Sequence, residues 1–305
     1  MKRIISFAVV ALAAVACNKE AGEVVKPVAG SNEIRVEASM PGATRATMMQ
    51  FEAGDVMGLY AVEYDGDSVA PLQLGGNFIN NEAMTFDGAK WNPAHALYWG
   101  ENACDFYGIY PYQQLAGVKD IIFEVALDQT QPSTDEALGG YEASDLLWAK
   151  AERKSCEDGD VFLSFKHMMS RVVVNVERGP NFEGELPENI SVKLYNTATT
   201  AEVDWTIGSV KKYMFSDTKT IAMRQLDATT FDAIVVPQFI ERITPLVELT
   251  MEGIAYLLED SISFRPGYQH TITVTLNTSP DQEKIEIGFE GVVEEEWNNK
   301  DEGEL

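Results

Sequence analysis

The chain is poor in the residues from which reactive sites are usually built. Among its 305 residues there are three Cys and three His. His95, His167 and His270 lie far apart, and none has a second ligand at the short spacings typical of zinc sites. No G-x-S-x-G elbow, P-loop or dinucleotide fingerprint occurs. Asp65-Gly66-Asp67 and Asp158-Gly159-Asp160 are too short for an EF-hand ligand ladder and read as β-turns. Basic residues are also scarce: 23 Lys and Arg stand against 48 Asp and Glu, a formal net charge of −25. Binding to a phosphate backbone is driven by Lys and Arg that displace counterions, so no nucleic-acid partner is expected. Nor is a metal, a cofactor or an enzymatic activity. What remains is an acidic chain, 45% hydrophobic and so able to build cores. At roughly 150 residues per domain, its length corresponds to about two domains.

The N-terminal apolar run, Ile4 to Ala16, is thirteen residues long and interrupted only by Ser6. A helix needs about 20 apolar residues to cross a hydrocarbon core. Preceded by Lys2 and Arg3, the run reads instead as the h-region of a signal peptide, residues 1–16. It ends in Ala14-Val15-Ala16-Cys17 and is followed by polar Asn18-Lys19-Glu20. Small residues ahead of a single Cys resemble a bacterial lipobox, with Ala14 where Leu is usual. That resemblance implies that Cys17 is acylated on sulfur and begins the mature protein. The alternative is an ordinary signal peptide with Cys17 incidental. Acyl chains contribute about 0.8 kcal/mol per buried methylene, enough for two or three chains to hold an acidic protein on a membrane. Loss of Lys2 and Arg3 changes the formal charge from −25 to −27. Residues 17–31 are polar, contain Gly and Pro, and read as a flexible tether. Cys104 and Cys156 remain, and an oxidising envelope would permit their pairing without the sequence showing that they meet.

From Ser31 onward the dominant signal is alternation with period 2. Val161, Leu163 and Phe165 share one face of their segment, as do Val172, Val174 and Val176. Ile190/Val192/Leu194, Val247/Leu249/Met251, Ile272/Val274/Leu276 and Ile285/Ile287/Phe289 repeat the pattern. Asp65-Gly66, Asp87-Gly88, Asp158-Gly159 and Arg265-Pro266-Gly267 supply turns between runs. Many short strands at such spacing predict an all-β chain of sandwiches. One window, Tyr141 to Lys154, has some helical spacing and is open to reading as loop, strand or short helix. The best boundary is the Gly-, Pro- and charge-rich stretch Glu177–Leu186. It divides the chain into an N-terminal domain, residues 32–180, and a C-terminal domain, residues 181–305.

Several strings in order carry a more specific message. Thr44-Arg45-Ala46 is followed by Phe51-Glu52-Ala53-Gly54-Asp55-Val56-Met57-Gly58. An aromatic stretch runs through Trp91-Asn92-Pro93, Leu97-Tyr98-Trp99, Asp105-Phe106-Tyr107 and Ile109-Tyr110-Pro111-Tyr112. Ser144-Asp145-Leu146-Leu147, Leu163-Ser164-Phe165-Lys166-His167, Ala233-Ile234-Val235-Val236-Pro237-Gln238 and Phe264-Arg265-Pro266-Gly267-Tyr268 follow. Together they resemble the fimbrillin family, lipoprotein-derived subunits of type V fimbriae in Bacteroidales, over nearly the whole mature chain. The spacing before Tyr268 departs from the family's pattern.

The resemblance implies two tandem transthyretin-like (immunoglobulin-like) β-sandwich domains. It also implies export as an outer-membrane lipoprotein to the cell surface. There the chain would be a structural or adhesive subunit, as stalk, tip or anchor, of a fimbrium. Its partners would be other fimbrial subunits, with a host or bacterial surface ligand as a further candidate. In the family a protease cuts after an Arg that follows the first strand, and a neighbouring subunit supplies a replacement. Glu33 to Met40 alternates Ile34, Val36 and Ala38 against Arg35, Glu37 and Ser39, which suits a removable strand. Arg45 is then the candidate processing site, and Ile285, Ile287 and Phe289 are candidate donor-strand residues. A different reading makes the protein a monomeric surface lipoprotein that binds glycans through exposed Trp and Tyr of residues 91–112. Packing of those aromatics in a sandwich core is the competing explanation for the same stretch.

Overall fold

A computed structural model describes residues 32–40, 51–134, 136–182, 185–186, 189–241, 244–278 and 285–297. Strands dominate, and their burial follows the sequence pattern where one face meets water. Val161–Ser164 alternates buried and exposed residues, and Ile190–Ala198 begins the same way. Other strands depart from alternation, two of them in the sheet beside the first strand. All seven residues of Cys104–Tyr110 are buried, and Val56–Asp65 is buried from Met57 to Val62. Both are covered on two faces, and such strands read as continuous apolar runs.

These two strands lie in a seven-stranded sheet. Its order is 166–167, 147–154, 104–110, 56–65, 79–86 and 91–93, with 68–69 paired to 56–65. On one face Met57, Leu59, Ala61 and Phe106 pack with Ile34, Val36, Val161, Leu163 and Phe165. On the other, Tyr60, Val62, Tyr107 and Ile109 join the large core built from the second half of the chain. Full burial of such side chains contributes about 1.5–3 kcal/mol each. The two layers therefore stabilise the same sheet.

The second half centres on a five-stranded sheet in the order 224–225, 230–235, 170–178, 268–278 and 285–296. A four-stranded sheet follows the order 218–222, 190–198, 245–251 and 254–259. Val172, Val174, Phe231, Ile272 and Val274 share a core with Val192, Leu194, Val247 and Leu249. A third sheet joins 209–212 and 200–204 to 121–124.

Strand pairing does not follow a boundary at residues 180 and 181. Ser170–Arg178 lies antiparallel to Thr230–Val235 and parallel to Tyr268–Thr278, inside the C-terminal sheet. Ile121–Glu124 pairs with Thr200–Asp204. The ambiguous window after Gly139 resolves into a short helix, Gly140–Ser144, and then a strand, Leu147–Lys154. Each of the four expected glycine turns places its Gly at positive φ: Gly66 at 61°, Gly88 at 94°, Gly159 at 81° and Gly267 at 72°. Cys104 is buried and Cys156 exposed, and they are not joined.

Candidate functional site

The first strand is held from both sides by backbone hydrogen bonds. Ile34 N donates to Leu97 O (2.9 Å), and Trp99 N donates to Asn32 O (2.8 Å). Val36–Ser39 then runs parallel to Val161–Ser164, with Val36 opposite Val161 and Ala38 opposite Leu163. Val161 N donates to Arg35 O and Phe165 N to Ser39 O, each at 2.8 Å. The side chains alternate as the sequence predicts. Ile34 and Val36 are 2% and 3% exposed, and Ala38 packs against the same core. Arg35, Glu37 and Ser39 are exposed.

Phe51, at the start of the next described segment, touches three rings of this core edge-on: Trp91, Tyr110 and Phe165. Gly54, at φ 105°, makes the turn that follows. Asp55 closes it by accepting the Glu52 N–H (2.7 Å) and the Tyr110 hydroxyl (2.9 Å). Burial first, and then Asp55, push the Tyr110 hydroxyl pKa upward, which keeps it a donor. The Phe51-x-x-Gly54-Asp55 string is thus an anchoring turn. A cavity of about 660 Å³ borders the end of the first strand and is lined by Met40, Phe51, Asp55, Tyr110, Tyr141 and His167, among others.

The family model for fimbrillin-like proteins matches residues 44–295. The chain belongs to the fimbrillin-like family. The family is one of fimbrial structural proteins rather than enzymes, which makes this chain a fimbrial subunit of the cell surface. Solved structures share its fold. One is a protein assigned to cell adhesion from Bacteroides uniformis, at 22% identity and TM-score 0.63, covering 88% of this chain and all of that one. A protein with the same assignment from Bacteroides ovatus has 17% identity and TM-score 0.67, covering 89% of this chain and all of that one. A fimbrial protein from Bacteroides ovatus has 19% identity and TM-score 0.51, covering 80% of this chain and 49% of that one. No curated protein matches.

In this fimbrillin-like chain the candidate residues fall in different places. Cys17 and Arg45 lie outside the described residues. Ile285, Ile287 and Phe289 lie in the C-terminal strand, opposite Thr278, Leu276 and Val274 respectively. This strand is at the edge of the five-stranded sheet, and Ile287 and Phe289 pack partly buried against the main core. The aromatic stretch is mostly core. Trp91, Trp99, Phe106, Tyr107 and Tyr110 are buried, and only Tyr98 stands out, 59% exposed. Trp99 edges Phe106 inside the sandwich.

The histidines are separate. His95 is on the surface against Glu82, while His167 and His270 are buried in different settings. Among the described residues no group of His, Cys, Asp and Glu is arranged to hold a metal. Sequence reasoning missed two clusters. Asp232, fully buried, receives Nε and Nη2 of Arg171 and of Arg224 at 3.0–3.2 Å. Trp297 stacks on His167 from the end of the C-terminal strand. Both join residues far apart in sequence and leave no local pattern.

Proposed function

We propose that this chain is a fimbrial subunit exported as an outer-membrane lipoprotein through acylated Cys17 and assembled by exchange of its first strand. The observation that carries this reading is the position of residues 32–40. They form no part of the seven-stranded sheet, yet they insert Ile34 and Val36 into its core. Excision of the strand would unpair backbone groups of residues 97–99 and 161–165 and uncover Leu59, Leu163 and Phe165. An apolar groove with free N–H and C=O groups accepts an added strand. Arg45 follows the strand by five residues after Met40 and offers a trypsin-like protease its cleavage site. The alternating Ile285, Ile287 and Phe289 of an edge strand are the matching donor row.

The test uses a chain lacking residues 18–45, with a synthetic peptide of residues 32–45 as competitor. The truncated chain should form concentration-dependent oligomers by light scattering, and the peptide should dissolve them by refilling the groove. A truncated chain that stays monomeric and ignores the peptide would end the strand-exchange reading. Mass spectrometry of the mature protein from cells checks the ends. A lipidated Cys17 is expected before processing and Ala46 as the first residue after it.

A further inference from the structure

The C-terminal strand, Ile285–Glu296, is held unevenly along its length. It is an edge strand, and its register with Tyr268–Thr278 shifts between Ile272 and Val274. Gly291, at φ 111°, lies in the same stretch. Ile287, Phe289 and Val292 are only partly buried, and Val293 is 64% exposed. The residue just past the strand is different: Trp297 is 6% exposed. Its indole lies flat on the His167 imidazole, with ring centroids 3.5 Å apart and planes within 8°. His167 belongs to the other large sheet, through the pairing of Lys166–His167 with Leu147 and Trp148. Asp145 orients its ring from 2.9 Å at Nδ1, and Trp297 N donates to Gly267 O at 2.8 Å. Among the described side chains of residues 285–297, the deepest burial is therefore that of the ring that clips the segment to a second sheet.

The clip also carries a built-in cost. Nε1 of Trp297 and Nε2 of His167 are both buried without a hydrogen-bond partner among the described residues. Stacking gains apolar and π contact, and burying two polar nitrogens offsets part of that gain. Release would return both nitrogens to solvent. A contact built this way favours the closed state by less than its buried area suggests, which is the property of a catch that opens.

We propose that the Trp297–His167 stack is a latch that keeps residues 285–297 on their own chain, so that its opening frees this strand and unpairs the edge of Tyr268–Thr278. That another subunit then uses the freed strand rests on the strand-exchange reading above. The latch itself does not.

Amide hydrogen exchange on full-length protein tests it, comparing wild type with Trp297→Ala and Trp297→Phe. In Trp297→Ala, amides of 285–296 should exchange about 100-fold faster through local opening. Those of 230–235 and 245–251 should keep their wild-type rates, and Trp297→Phe should fall between. Unchanged protection of 285–296 in Trp297→Ala overturns the latch, and so does an equal acceleration of every strand. A labelled peptide of residues 285–297 separates the two ideas. Its uptake by Trp297→Ala but not by wild type supports both. A strand that opens in Trp297→Ala while the peptide is ignored keeps the latch and counts against use of the strand by a second copy.

Discussion

Gly108 stands directly beneath the ring of Phe165: a Cβ built on it would lie 2.5 Å from Phe165 Cζ and 3.0 Å from Leu163 Cδ1. The missing side chain lets the strand that partners the first strand settle onto the central sheet. Gly108→Ala should cost about 1–3 kcal/mol by overpacking. Thermal unfolding followed by near-ultraviolet circular dichroism should show a Tm several degrees lower. An unchanged Tm would mean that the layer above the sheet is free to shift.

Asp232 sits between the Arg171 and Arg224 guanidinium groups and accepts hydrogen bonds from both. Arg224 also reaches Glu142 of the short helix and lies over the Tyr141 ring. Asp232→Ala removes the charge that both cations bind in a buried setting, a change of about 3–5 kcal/mol. Urea unfolding should show this as a lower midpoint with little change in slope.

The two thiols of the folded body should react differently. Burial, followed by Glu63 and Asp105, pushes the Cys104 thiol up to about 12, whereas Cys156 is exposed. In a chain beginning at Asn18, a thiol reagent at pH 8 should modify one residue, Cys156, until denaturant is added. Cys156→Ser should leave the native chain unmodified.

His270 gives stability a pH dependence of known sign. Burial lowers its pKa below the ordinary 6.5, against the opposing pull of Glu294. Its Nε2 accepts the Arg265 N–H at 3.0 Å, a bond that requires the unprotonated nitrogen. Between 6.5 and the lower folded value, the unfolded chain binds a proton that the folded chain does not. Stability from this group is therefore complete above 6.5 and is lost as pH falls towards the folded value. Unfolding free energies measured at a series of pH values should decline through this window, and His270→Gln should flatten the decline.

Much of the fold is legible in short windows. The parity of Ile34, Val36 and Ala38 matches their burial in the structure, and the Gly of each Asp-Gly pair takes a positive φ, although Asp158-Gly159 ends a short 3-10 helix, Cys156–Asp158, rather than forming the expected β-turn. The dense aromatics of residues 91–112 read as core, and most are. Long-range choices were not legible. Ser170–Arg178 alternates like any sandwich strand, and nothing local says that it sits between strands 230–235 and 268–278. The doubly covered strands also hide their allegiance, because a continuous apolar run has no wet face to indicate which layer lies where. Ile285, Ile287 and Phe289 could be found as an alternating row. The ring on His167 that secures the same segment could not, since 130 residues separate His167 from Trp297.

The pairing of Ile121–Glu124 with Thr200–Asp204, together with the placement of Ser170–Arg178, has a mechanical consequence. A tandem pair of beads would carry tension through a single linker and yield one bead at a time. Here the chain crosses between layers more than once, so more than a single linker joins the described layers. Under force the C-terminal edge strand should peel first, and the sheets joined by these crossings should then give way together.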